Sequence, residues 1–289
     1  MKRSRYMLKD KVVIVTGAAG GIGQALTRIF ARSGASLVLT DIGMAELERQ
    51  SRLFCPPEAA NLLVRHDVTD PRSWDSLLDA VLKEFGRLDI LINNAGVVQP
   101  GPAEKLSFDQ VLRQISVNLM GTVLGCQTAL RLMKKQNRGK IINIASLGGI
   151  VPMPGEAVYC ATKFAIRGYS LSLYGELLDS PVSITVVCPD SVDTTQLAYE
   201  LLHDEAVLSF VSSPMKPERV ARGVLKAVFK DTPEILIPGA MGNFSRVGMG
   251  FPGIFFALFP ILRKMGIKTM KKKREEKENG SVTLHCDGV

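Results

Sequence analysis

The stretch from Lys11 to Gly34, KVVIVTGAAGGIGQALTRIFARSG, decides the fold. Val12 to Val15 is an uninterrupted β-branched run, the pattern of a parallel strand covered on both faces. Gly17, Gly21 and Gly23 follow, and Ile22, Ala25, Leu26, Ile29 and Phe30 then fall at helical spacing. A strand, a tight glycine turn and a helix are therefore expected in succession. Such a turn lets the backbone approach a pyrophosphate, which can rest on the free N–H groups and positive dipole end of the helix. The spacing G-x-x-x-G-x-G differs by one residue from the usual dinucleotide fingerprint, so on this motif alone an ordinary glycine-rich turn stays open.

Working outward, strand and helix patterns alternate from Lys11 onward with no Pro/Gly/Ser linker to split them. Strands are expected at 11–16, 36–40, 62–66, 89–93, 140–145, 183–188 and 234–237. They predict an α/β fold: one doubly wound parallel sheet of about seven strands, with the ligand crevice at the strands' carboxyl ends. The second strand leads into Asp41, eighteen residues after Gly23. A carboxylate there accepts hydrogen bonds from the adenosine ribose hydroxyls and repels a 2′-phosphate. No lysine or arginine lies in Thr16 to Gly23 or directly after Asp41 to receive such a phosphate, so NAD is expected over NADP. The plain alternative is that Asp41 only caps the following helix.

Tyr159 and Lys163 stand four apart in VYCATKFAI, on one face of an expected helix. An ammonium beside a phenol favours the phenolate and is expected to lower the tyrosine pKa from about 10. Tyr159 then becomes a candidate general acid/base. Ser146, thirteen residues upstream at the end of an expected strand, can hydrogen-bond the same reacting oxygen. Taken singly, these residues read as a turn serine and a solvated helix face.

These pieces together resemble the classical short-chain dehydrogenase/reductases. The matching residues are TGAAGGIG at 16–23, Asp67-Val68, NNAG at 93–96, Asn118, Ser146, YCATK at 159–163 and CPDSVDT at 188–194, so the resemblance runs from about Leu8 to Gly239. It implies a Rossmann-like single domain, an NAD cofactor, and a catalytic tetrad of Asn118, Ser146, Tyr159 and Lys163. Asn118 would hold a water linking Lys163 to solvent. The cofactor residues implied are Gly17, Gly21, Ile22, Gly23, Asp41, Asp67, Val68, Asn94, Ala95, Gly96, Tyr159, Lys163, Pro189, Val192 and Thr194. Pro189-Asp190 departs from the family's usual Pro-Gly, and similar versions occur among relatives acting on steroids and retinoids. The resemblance also implies interconversion of an alcohol with a ketone or aldehyde, and a homodimer or homotetramer. A dinucleotide-binding sensor without turnover, or an enzyme of small polar substrates, remains the alternative.

Composition narrows the setting. The five cysteines, Cys55, Cys126, Cys160, Cys188 and Cys286, form no close pairing, and an odd count argues against a disulfide framework. His66, His203 and His285 make no metal-ligand pattern, so no metal is expected. MKRSRYMLKD lacks the apolar core of a secretory signal, and a cytoplasmic protein is expected. Of the net charge of +8, seven positive charges lie in 263–274, after an uncharged FPGIFFALFPIL at 251–262. Twelve residues are too few for a bilayer span, which takes about twenty. The catalytic domain is thus placed at 1–240 and a C-terminal extension at 241–289, with 275–289 expected to be disordered.

The apolar and basic extension can lie in a headgroup layer or pack on the protein. Nucleic acid is not expected, because the basic run has no aromatic interleaving. After Thr194, the residues Leu197, Tyr199, Leu201, Leu202, Val207, Leu208, Phe210 and Val211 suggest either an apolar lid over a lipophilic substrate or an amphipathic helix packed on the body.

Overall fold

The computed structural model describes residues 7–54 and 61–283; Cys55, His285 and Cys286 lie outside them. Strand β1 (Val12–Thr16) is buried throughout, with Val13, Ile14 and Val15 fully inaccessible. Removing each such side chain from water contributes about 1.5–3 kcal/mol. A strand apolar on both sides needs a layer over each face, and helices supply both. After α1 (Gly21–Arg32) come β2 (Ser36–Asp41), α2 (Met44–Phe54), β3 (Asn61–Arg65), α3 (Pro71–Phe85), β4 (Ile90–Asn93), α4 (Phe108–Gln114) and α5 (Gly121–Lys135). The second half adds β5 (Gly139–Ile144), α6 (Ala157–Glu176), β6 (Val182–Pro189), α7 (Thr195–Glu200), α8 (Pro217–Val228), β7 (Glu234–Ile237), α9 (Gly239–Met249) and α10 (Pro252–Thr283). Every expected strand is present within one residue or so of its expected ends.

The seven strands form one parallel sheet in the order β3-β2-β1-β4-β5-β6-β7. One face packs Leu26 and Phe30 of α1 with Val220 and Val224 of α8; the other packs Trp74 and Leu77 of α3, Met133 of α5 and Leu173 of α6. The order reverses between β1 and β4, where a crevice opens at the carboxyl edge.

The C-terminal extension is helical. Helix α10 runs to Thr283, and 284–289 fall outside the described residues. No proline or glycine interrupts it between Ile267 and Asn279, and Lys272 pairs with Glu276 one turn on. Met270 is buried against Leu197, Leu201, Val207 and Phe210, and Arg274 donates to the Leu201 carbonyl and pairs with Asp204. The arm thus packs on its own chain along one side. Among the described residues no helix is long and apolar enough to cross a membrane.

Glu234 anchors α9 to the sheet edge. Its side chain is 4% exposed and receives Arg167 of α6 at 2.8 Å and Arg246 of α9. Both arginines keep some solvent, which screens the pairing. Glu234→Gln should therefore lower unfolding stability by about 1–2 kcal/mol. Urea denaturation checks this, and an unshifted midpoint would remove the anchor.

Candidate active site

The loops after β1, β4, β5 and β6 meet around a cavity of about 780 Å³. The glycine turn forms its floor. Gly17 sits at φ 63°, in the left-handed region that favours glycine, and an added Cβ on Gly23 would come within 2.2 Å of the Gly17 carbonyl oxygen. No side chain caps the start of α1, whose first intrahelical bond runs from Gln24 N to Gly20 O. The amides of Gly21, Ile22 and Gly23 therefore lack carbonyl partners in the helix, and all three residues line the cavity. A phosphate group fits this cradle.

Asp41 stands at the end of β2 with its carboxylate turned to the same loop. Oδ2 accepts from Ala19 N at 3.1 Å and Oδ1 from Gly43 N at 3.0 Å. Asp67 and Val68 follow β3 and also line the cavity. Asp67 holds Thr69 through its backbone N–H and its hydroxyl, and Val68 O accepts from Trp74 Nε1 at 2.9 Å. Asn94, Ala95 and Gly96 continue the wall. They are fixed by Thr16, whose Oγ1 accepts from Asn94 N and Ala95 N, and by Asn94 Nδ2, which donates to the Thr16 and Gly17 carbonyls. The residues present thus fit a dinucleotide laid across the β1–β4 switch point.

Tyr159 and Lys163 share the inward face of α6, and Lys163 Nζ lies 5.5 Å from the tyrosine ring centre. Lys163 is buried, donates to the Ile144 carbonyl at 3.1 Å, and burial draws its pKa down to about 8. The Tyr159 phenol is hydrogen-bonded to Ser146. Its pKa is not lowered as the sequence pattern suggested: burial, and then the Glu200 carboxyl, push it above the ordinary phenol range, with Ser146 opposing and Glu156 adding to the rise. Ser146 precedes a 3-10 turn, Leu147–Gly149, and accepts from Gly148 N at 3.0 Å.

Asn118 lies on a π-helical turn, Ile115–Met120, that joins α4 to α5. Its Oδ1 accepts from Val97 N at 2.8 Å; its Nδ2 donates to Val97 O at 2.9 Å and to Thr162 Oγ1 at 3.0 Å. A fully buried amide so engaged ties the loop after β4 to α6. A second buried chain, Asn93 to Asn143 to Ser170, ties β4, β5 and α6. Asn143 and Ser170 carry no recognisable spacing in the sequence, and only the sheet register brings them together.

Pro189, Val192 and Thr194 line the far side of the cavity. The departure at Asp190 has a structural use: its Oδ2 accepts from Ser212 Oγ at 2.9 Å, while Val192 bridges to Met215. The segment after Thr194 divides its apolar residues. Leu197, Leu201, Val207 and Phe210 turn into the body, Tyr199 and Leu202 face outward, and Leu197, Leu208 and Val211 also touch the cavity. The C-terminal segment adds Met241, Phe244, Val247, Phe251, Ile254, Phe255, Leu258 and Leu262 to the apolar wall. The sequence did not place these residues at the site, because nothing in a contiguous apolar run says which cavity it will cover. Glu156 and Glu200 were also missed. Each reads as an ordinary helix-end acid, yet both are buried beside Tyr159.

A family model described as short chain dehydrogenase matches residues 11–206. An uncharacterised oxidoreductase of Staphylococcus saprophyticus is 34% identical over 226 residues, covering 76% of this chain and 91% of its own. Human dehydrogenase/reductase SDR family member 7 is 34% identical over 245 residues, 82% of this chain and 72% of its own. The crystal structure of a short chain dehydrogenase/reductase from Burkholderia phymatum in complex with NAD superposes with a TM-score of 0.76 at 28% identity, covering 83% of this chain and 93% of that one.

Proposed function

The chain belongs to the short-chain dehydrogenases, a family of oxidoreductases, and on that premise we propose that it uses NAD to interconvert a lipophilic alcohol and its ketone or aldehyde, with Tyr159 as general acid/base. The observation that carries this reading is the joining of Ser146, Tyr159 and Lys163 to a dinucleotide-shaped cradle in one largely apolar cavity. NAD, when bound, supplies the acceptor or donor of hydride and, oxidised, a positive charge beside the phenol.

The chain's own residues supply the rest. In oxidation Tyr159 takes the carbinol proton, and in reduction it returns one to the carbonyl oxygen. Ser146 donates to that same oxygen and stabilises the charge developing on it. Lys163 is buried close enough for its ammonium to favour the phenolate, opposing the burial and carboxyls that favour the phenol. Asn118 acts at one remove, as a positioning residue that keeps the β4 loop and α6 in register. Apolar side chains from α9 and α10 exclude water and leave few partners for a small polar alcohol.

Asp41 supports a preference for NAD, since a 2′-phosphate would meet its carboxylate with no cation nearby in the glycine turn. The exposed Phe244, Val247, Phe251, Ile254 and Leu258 flank the cavity, followed along α10 by the exposed Arg263, Lys264, Lys268, Lys271 and Lys272. An apolar rim next to a basic helix suits docking on an anionic lipid surface, from which a lipophilic substrate could enter.

Tyr159→Phe keeps the ring and removes the proton carrier; it should still bind NADH, detected by fluorescence, while kcat falls about 10²–10⁴-fold. Undiminished turnover would overturn the mechanism. For the cofactor, the ratio of kcat/KM for NAD over NADP should exceed unity and shrink about tenfold or more in Asp41→Ser, once charge repulsion is gone. Equal efficiencies in the unaltered protein would refute the assignment. In sedimentation with vesicles containing phosphatidylserine, the full chain should pellet, and reversing Lys264, Lys268, Lys271 and Lys272 to glutamate should keep it in the supernatant. A full chain that never pellets excludes the lipid surface.

A further inference from the structure

Two carboxyls face the cavity beside Tyr159. Glu156 directly precedes α6, yet its side chain makes no capping bond to that helix. Its Oε1 accepts instead from Ser209 Oγ at 3.5 Å. Glu200, at the end of α7, is held by the same Ser209 hydroxyl and by Gln196 Nε2 at 3.2 Å. Their exposures are 2% and 6%. Both line the cavity together with Tyr159, and among the described residues neither pairs with a lysine, arginine or histidine.

One hydroxyl cannot satisfy both carboxyls. Ser209 has one proton and can donate to only one of the two carboxyls at a time. Two buried carboxyls that share one hydroxyl, neither ion-paired among the described residues, disfavour joint ionisation, so the protonated form of one of them is favoured. Burial, first of all, raises both groups, and the charge of Glu200 raises Glu156 further. If their task were only to tie α7 to α6, one hydroxyl between two amides would do so without burying two acids. What the acids add is a donor and an acceptor in the cavity wall, next to the reacting phenol.

We propose that Glu156 and Glu200 form a specificity-determining pair that hydrogen-bonds a second oxygen function of the substrate, away from the carbon that is oxidised. The substrate class is then a lipophilic diol or hydroxyketone: the skeleton lies against α9 and α10, and the second hydroxyl or carbonyl meets the pair. This deepens the proposed activity and rests on its reading of the cavity.

The test measures affinity by calorimetry in the complex with NADH, where an alcohol binds without turnover. The probes are 2-dodecanol and the 2,5- to 2,9-dodecanediols, each also assayed for oxidation with NAD. At least one diol should bind about tenfold or more tightly than 2-dodecanol, since a site built to bond a hydroxyl disfavours an analogue lacking it. Glu156→Leu and Glu200→Leu should erase that advantage, the diol's affinity falling to that of 2-dodecanol while the affinity for 2-dodecanol itself changes less than about twofold; kcat is not the readout, because both carboxyls also act on the Tyr159 phenol. Glu200→Gln, which keeps a donor and the shape, should retain most of it.

Diols binding no better than 2-dodecanol would overturn the pair, as would leucine variants that weaken both ligands equally. Should those variants fail to fold, the diol-to-alcohol ratio of the unaltered protein decides. Oxidation of 2-dodecanol without diol preference sinks the pair and leaves the activity standing; diol preference in binding without any oxidation does the reverse. No binding across the series overturns both.

Discussion

Burial of β1, β4 and β5 on both faces is the constraint from which the rest of the molecule follows. Val13, Ile14, Leu91, Ile92, Ile141 and Ile142 are inaccessible from either side, so each parallel crossover must carry a helix back over the sheet. Within the sheet the backbone N–H and C=O groups are used by the ladder. Free polar backbone is left at the strand ends, and the reversal of strand order between β1 and β4 leaves those ends uncovered at one place. The glycine turn, the loop after β4 and the loop after β5 meet there because of topology.

Burial by such a core sets the electrostatics of the crevice. Lys163 is drawn down by burial, and Tyr159 is driven up by burial and by the neighbouring carboxyls. Such opposed shifts need side chains that hold still. The bonds from Asn118 to Val97 and Thr162, and from Asn93 through Asn143 to Ser170, supply that rigidity, since a satisfied buried network holds its members in one arrangement. The π turn at Ile115–Met120 belongs to the same device: it turns Asn118 inward in a helix that otherwise runs on from Phe108 to Lys135.

The C-terminal helices complete the cavity from outside the sheet. α9 is tied to the sheet edge through Arg246 and Glu234, and α10 packs so closely on the Asp204–Phe210 segment that an added Cβ on Gly266 would meet the Val207 carbonyl at 2.2 Å. Apolar residues of one arm therefore serve two surroundings. Met270 and Ile267 pack on the body, while Phe251, Ile254 and Leu258 stand at the cavity and in solvent.

The sequence by itself determined the alternation of strands and helices, the glycine cradle, Asp41, and the placing of Tyr159, Lys163 and Ser146 near one another. These are short-range matters. A β-branched run, a glycine where φ must be positive and a spacing of four on a helix each act within a few residues. Only the tertiary structure decided the direction in which Tyr159 titrates, the burial of Glu156 and Glu200 around one serine, and the use of 241–262 as a cavity wall. Those depend on residues far apart in the chain, Glu156 with Ser209 and Glu200, Leu201 with Arg274. A charge's cost and a side chain's partner are set by the medium that distant segments create around it, and no local pattern records that medium.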